Sequence, residues 1–97
     1  MFWFLSFADG RRPKGTQFLG GAIVEAQDFM AAIKKTHALG INPGGEVQGT
    51  GPSITVDSVG EELNKKYSNR LLTREECVEW DEAADGHVKN VQLMSRA

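Results

Sequence analysis

The chain has 97 residues, a net charge of −2, and hydrophobic and charged fractions of 40% and 25%. These values are typical of one globular domain over residues 1–97 and exclude a disordered chain. The small net charge excludes a global attraction to nucleic acid, and we expect no sequence-specific nucleic-acid partner. The single cysteine, Cys77, excludes an intramolecular disulfide and favours a reducing cytoplasm. No apolar run approaches the ~20 residues that span a bilayer, so no membrane association is expected.

Two antiparallel strands are predicted at the start of the chain. Residues 2–8 are apolar on both faces, which is typical of a strand covered on both sides, and we expect a helix and a second subunit to cover it. A polar loop then leads into a second strand at residues 17–26. Its Gly20 and Gly21 indicate a bulge or a close approach by another segment.

A helix and a glycine-rich stretch follow. Asp28 is a typical N-cap residue, and apolar residues recur after it at three- and four-residue spacing up to Leu39. Gly40 predicts the left-handed end of this helix, and the "NPGG" that comes next predicts a turn. A third strand is predicted from Glu46, and residues 53–57 either continue it or form a fourth.

The rest of the chain is predicted to be mainly helical. Capping boxes at Ser58 and Thr73 predict two helix starts, and Gly86 ends the second of these helices. The C-terminal segment comprises residues 86–97. For residues 87–94 within it, we expect a weak strand or an ordered tail.

The predicted order of elements is β-β-α-β-(β)-α-α. This order indicates an α+β fold, a small antiparallel sheet with helices packed on one face. Because an apolar first strand in a small sheet has an edge to protect, we also expect a homo-oligomer.

The residue patterns of most enzymes are missing from the sequence. His37 and His87 are the only histidines, and neither has metal-ligand spacing around it, so no metal and no cofactor are expected. Cys77 lies on the apolar face of its helix, where a core position is the expected role. The glycine-rich stretches match neither the Walker phosphate loop, which needs Gly-Lys-Thr, nor the G-x-G-x-x-G fingerprint of dinucleotide-binding proteins. We therefore expect no catalytic residue and no enzyme activity.

The first candidate binding feature is the basic loop "RRPK". Arg11, Arg12 and Lys14 place three cations in four positions, and Pro13 stiffens the loop. A planar guanidinium suits phosphate because it can donate two parallel hydrogen bonds. The alternative is a solvated hairpin tip.

The second candidate is the stretch "ALGINPGGEVQGTGP". The backbone N–H groups of Gly44 and Gly45 are candidates to face an anion, with Asn42 beside them. Turn formation is the alternative for the residues up to Gly45. It does not account for Gly49 and Gly51, which weaken a strand. For these two glycines a structural role and a ligand role are equally open.

The third candidate is "YSNRLLT". Tyr67 and Arg70 flank a helix break and are candidates to clamp a ligand or a partner chain; the alternative is an αα turn with polar surface residues. Trp3 is a candidate to stack on a base, with burial in the core as the alternative.

Four stretches, "WFLSFAD", "PKGTQFLG", "LGINPGGEVQG" and "NRLLTREE", carry a resemblance that covers most of the chain. The chain resembles a group of small, mostly uncharacterised proteins found in bacteriophages and actinobacterial genomes, and "GINPGGEV" is the most specific part. The group has no activity to carry over. The resemblance implies a phage accessory protein and, by analogy, a sponge that binds nucleotide immune signals at subunit interfaces.

Our leading hypothesis is a non-enzymatic binding protein that sequesters an anionic, nucleotide-like ligand in the host cytoplasm and so blocks anti-phage signalling. The alternative is a protein–protein inhibitor or adaptor that uses the acidic helix at residues 75–85 to mimic or mask a basic surface. A small nucleotide hydrolase is the third hypothesis, disfavoured because no base, nucleophile or metal set is visible.

Overall fold

The computed structural model describes residues 1–90 of the chain. Within them, four strands form one antiparallel sheet and three helices pack against it. In chain order the elements are β1 (Phe2–Ala8), β2 (Phe18–Glu25), α1 (Phe29–Ala38), β3 (Glu46–Thr55), α2 (Ser58–Tyr67), α3 (Arg74–Ala84) and β4 (Val88–Asn90). The α+β class and the predicted order of elements are confirmed.

The sheet has the strand order β2-β1-β3-β4, so β1 is an interior strand. Phe4 of β1 faces Ile23 of β2 on one side and Thr50 of β3 on the other. Residues 53–55 continue β3, as one of the two sequence-based alternatives predicted. β4 pairs with the end of β3 and lies in the segment for which a strand or a tail was expected; residues 91–97 of that segment lie outside the described residues.

Side-chain caps determine where the helices begin. Asp28 accepts a hydrogen bond from the backbone N–H of Ala31 and starts α1, and Thr73 and Glu76 form the predicted capping box of α3. The predicted capping box at Ser58 is wrong. Asp57 caps α2 instead, because its backbone is extended and its carboxylate accepts from the Gly60 N–H at 3.0 Å.

Both faces of the sheet carry a core, and this differs from the expectation that the helices pack on one face. Leu5 and Phe7 of β1 join Ala22 and Val24 of β2 in a buried cluster against α1. The alternate residues of the same strands form a second cluster with α2 and α3, containing Phe2, Phe4, Ile23, Tyr67, Leu72, Cys77 and Trp80. Since successive residues of a strand point to opposite faces, β1 is covered on both sides by helices of its own chain.

The outer edge of β2 is closed by the connection between α2 and α3. Gly21 and Leu72 exchange backbone hydrogen bonds of 3.0 and 2.7 Å, and Asn69 donates to the carbonyl of Ile23. Gly21 also leaves room for α3, because a Cβ at this position would lie 2.7 Å from the sulfur of Cys77 in that helix. The close approach predicted at the two strand glycines is therefore confirmed. The apolar first strand has no edge to protect, so this reason for a homo-oligomer does not apply, and the oligomer stays a prediction.

The helices are short. α3, the longest within residues 1–90, has 11 residues, and none of the helices in this range is long and apolar enough to cross a membrane.

Candidate functional site

The basic loop between β1 and β2 is held by its own hydrogen bonds. The Arg11 guanidinium lies 3.1 Å from a carboxylate oxygen of Asp9, and the Arg11 backbone N–H donates to the same oxygen. These hydrogen bonds, the side-chain one first, hold the pKa of Asp9 below its usual value. Arg12 and Lys14 are exposed, and neither forms an ion pair within residues 1–90.

One depression brings two of the predicted binding residues together. Arg11 and Gly45 both line a hollow of about 350 Å³ between the basic loop and the start of β3. Asp9 and Glu46 line the same hollow. An anion placed there would meet one guanidinium that is already paired and two carboxylates.

The first part of the glycine-rich stretch forms a turn. The Asn42 side chain donates to the hydroxyl of Thr36 at 3.0 Å and accepts from the Gly44 N–H at 2.8 Å. Gly45 has a φ of 76°, and a Cβ there would collide with the backbone oxygen of Ala8. Asn42, Gly44 and Gly45 therefore have structural roles in the turn from α1 into β3.

Aromatic packing explains Gly49 and Gly51, for which turn formation had no account. A Cβ on Gly49 would collide with the ring of Phe29, and a Cβ on Gly51 would lie 3.0 Å from the ring of Trp3. Trp3 itself donates its indole N–H to the carbonyl of Ala26 and packs against Phe29, with ring centroids 6.0 Å apart. These residues belong to the α1 side of the core, where Trp3 is half-buried.

Tyr67 and Arg70 lie together, as predicted, on the opposite face of the sheet. The Arg70 guanidinium is 5.5 Å from the centroid of the Tyr67 ring and pairs with Glu76. Tyr67 is only 5% exposed and its hydroxyl donates to Glu79. The predicted binding residues are thus divided among the basic loop, the turn from α1 into β3, the α1 side of the core and the α2–α3 connection.

A groove beside α3 was missed by the sequence analysis. Two adjoining depressions of about 440 and 460 Å³ share Trp80, Asp81, Glu82 and Asn90. We call them together the α3 groove; it is lined by Phe4, Phe18, Thr50, Arg74, Cys77, Val78, Trp80, Asp81, Glu82, Ala84, Asp85, Val88 and Asn90. Cys77 and Trp80 pack α3 against β2 and β1, respectively. Beside the helix, the groove is lined by Thr50 of β3 and by Val88 and Asn90 of β4.

Trp80 is the largest side chain of the groove and its orientation is fixed. Its ring stacks on Phe4, with centroids 5.4 Å apart and planes 16° apart. Its indole N–H donates at 3.0 Å to the side-chain oxygen of Asn64, which is fully buried. The part of the indole left uncovered lines both depressions, so the groove has a rigid aromatic wall.

The charges of the groove are mainly negative. Asp81, Glu82 and Asp85 line it and are exposed, whereas Arg74, the one basic lining residue among residues 1–90, lies at the other end of α3. The Arg74 guanidinium is 5.0 Å from the centroid of the Phe18 ring. This arrangement suits a cationic ligand with apolar parts and repels a phosphate.

Cys77 contributes apolar surface to the groove. Burial, followed by the charge of Glu76, raises the pKa of its thiol, so the reactive thiolate is disfavoured at neutral pH. No three histidine, cysteine or carboxylate side chains in the described part of the chain are grouped as metal ligands.

No protein-family model, curated protein or solved structure shows a significant match to this chain. Function is therefore inferred from the residues and geometry of the site itself.

Proposed function

We propose that this protein is a non-enzymatic binding protein that holds a basic, partly apolar polypeptide segment of a partner in the α3 groove. One observation carries the proposal: Asp81, Glu82 and Asp85 line the same groove as the aromatic pair Phe4 and Trp80. Carboxylates beside an apolar floor complement a segment that alternates basic and apolar side chains.

The dimensions of the groove fit a short segment. Eleven helical residues make α3 about 16 Å long, which is the length of roughly five residues in an extended chain. A contact of this size supports a transient interaction rather than a permanent complex. Because the carboxylates are exposed, binding is expected to weaken as salt is added.

The test uses a fluorescein-labelled ten-residue peptide in which leucine alternates with lysine, measured by fluorescence polarisation. The groove variant Asp81→Asn/Glu82→Gln/Asp85→Asn is compared with a matched variant, Glu61→Gln/Glu62→Gln/Glu75→Gln, whose three carboxylates lie outside the groove. We expect the groove variant to bind at least tenfold more weakly and the matched variant to bind like the unmodified protein.

Two results would contradict the proposal. Equal weakening in both variants would mean that the peptide responds to net charge and not to the groove. A dimer in sedimentation equilibrium that dissociates on the Trp80→Leu or Val78→Asp substitution would mean that a second copy of the chain occupies the groove.

A second candidate function is the sequestration of an anionic, nucleotide-like ligand. It is favoured by the depression that Arg11 and Gly45 share, next to the exposed Arg12 and Lys14. A phosphate would have to displace Asp9 from Arg11. A thermal-shift screen with cyclic di- and trinucleotides and ADP-ribose derivatives tests it, since a ligand of the native state raises Tm. A shift that survives Arg11→Ala would count against this location.

A further inference from the structure

The Trp80 indole and two of the groove carboxylates are neighbours on α3. Asp81 and Glu82 follow Trp80 directly in sequence, and all three line both depressions of the groove. A planar aromatic wall beside carboxylates is the arrangement that receives a flat cation, because the ring attracts its charge and the carboxylates accept its N–H groups.

We infer that the α3 groove selects arginine over lysine: the guanidinium of a partner arginine packs on the uncovered part of the Trp80 indole while Asp81 or Glu82 accepts its N–H donors. This inference rests on the proposed function and adds the chemistry that the partner segment must carry. Lysine fits the same place less well. Its ammonium is compact and strongly hydrated, and it does not stack on an aromatic plane.

The Trp80 wall is rigid before any ligand arrives. Phe4 covers one part of the ring and the buried oxygen of Asn64 holds the indole N–H at 3.0 Å. A ligand therefore does not have to order this side chain. Because Trp80 is already ordered in the folded protein, binding does not incur the loss of rotamer freedom that usually opposes it. Asn64 is thus a positioning residue that acts through Trp80.

The experiment compares three labelled peptides on the unmodified protein. They alternate leucine with arginine, with lysine or with citrulline, which has the shape of arginine without its charge. We expect the arginine peptide to bind about fivefold more tightly than the lysine peptide, and the citrulline peptide to bind most weakly.

A second readout identifies the side chain that is contacted. The chain has two tryptophans, so protein labelled with ¹⁵N at tryptophan gives two indole signals in a proton–nitrogen spectrum. The arginine peptide should move the signal of Trp80 and leave that of Trp3 unchanged. Trp80→Leu should remove the preference for arginine while some affinity for both basic peptides remains.

The outcomes separate this inference from the proposed function. If the arginine and lysine peptides bind equally well, arginine selection is wrong and basic-segment binding stands. If neither basic peptide binds, both the arginine selection and the proposed function are wrong. If Trp80→Leu does not fold, the comparison of peptides and the indole signals on the unmodified protein still decide, because neither requires a variant.

Discussion

Phe4 and Trp80 stack with their ring centroids 5.4 Å apart, although they lie at opposite ends of the described chain. The pair joins β1, an interior strand, to α3. It belongs to the core on one side and to the wall of the α3 groove on the other. The same contact thus stabilises the fold and holds the proposed binding surface in place.

The hydrogen bond between Trp80 and Asn64 predicts energetic coupling of the two residues. Asn64 is fully buried, and its side-chain nitrogen has no partner within residues 1–90. Asn64→Ala should destabilise the fold by about 1–3 kcal/mol because the indole N–H is then buried without an acceptor. Trp80→Phe removes that donor, so the double variant should lose less stability than the sum of the single variants.

Urea unfolding of the four proteins measures this coupling. Additive losses in the double-mutant cycle would show that the hydrogen bond contributes no stability of its own.

Gly49 of β3 and Gly10 of the loop between β1 and β2 are expected to respond differently to substitution by alanine. Gly49→Ala places a methyl group against the ring of Phe29, and such overpacking costs about 1–3 kcal/mol. Gly10→Ala is the matched control, since a Cβ there would have no atom of residues 1–90 within 4 Å. Chemical denaturation should show a clear loss for the β3 variant and little change for the control. A stable Gly49→Ala protein would open this position to a ligand role again.

Local signals in the sequence predicted most of the fold. The N-cap Asp28, the capping box of Thr73 and the helix end at Gly40 depend on residues close in sequence, and the structure has all three. The apolar pattern of β1 on both faces also indicated a doubly covered strand. The identity of the covering elements did not follow from it, because the sequence pattern does not specify which helix crosses which face.

Local signals in the sequence could not predict the α3 groove, for a related reason. Its wall needs Phe4 and Trp80 together, and no spacing rule connects residues so distant in sequence. Gly49 and Gly51 were equally ambiguous, because the rings that fill the space beside them belong to α1 and β1. In both cases the missing information was tertiary packing, whereas the acidic character of α3 was visible from composition.

The caps of α2 and α3 predict different effects for two similar substitutions. Thr73→Ala should cost about 1 kcal/mol because the Thr73 side chain accepts the backbone N–H of Glu76. Ser58→Ala should have little effect, since Asp57 and not Ser58 caps α2. Thermal unfolding of the two variants measures the difference. A loss at Ser58 as large as that at Thr73 would contradict the assignment of Asp57 as the cap.

The fold is expected to be sensitive to acid at Asp57. The backbone N–H of Gly60, followed by His87 at 2.8 Å, holds the pKa of the Asp57 carboxyl below its usual value. A carboxyl whose pKa is lower in the folded chain stabilises the fold above the unfolded pKa, and this contribution is lost as the pH falls through the folded pKa. Stability should therefore decline below about pH 4.

Asp57→Asn separates this effect from capping, because asparagine also caps helices well but does not titrate. Its melting temperature between pH 7 and pH 2.5 should fall less steeply than that of the unmodified protein, and the two curves should approach each other at the acidic end. His87→Ala removes the second contribution to the lowered pKa and should give an intermediate slope. Parallel curves for all three proteins would show that acid unfolding is governed by other carboxylates, among which Asp9 and Glu76 also have lowered pKa values.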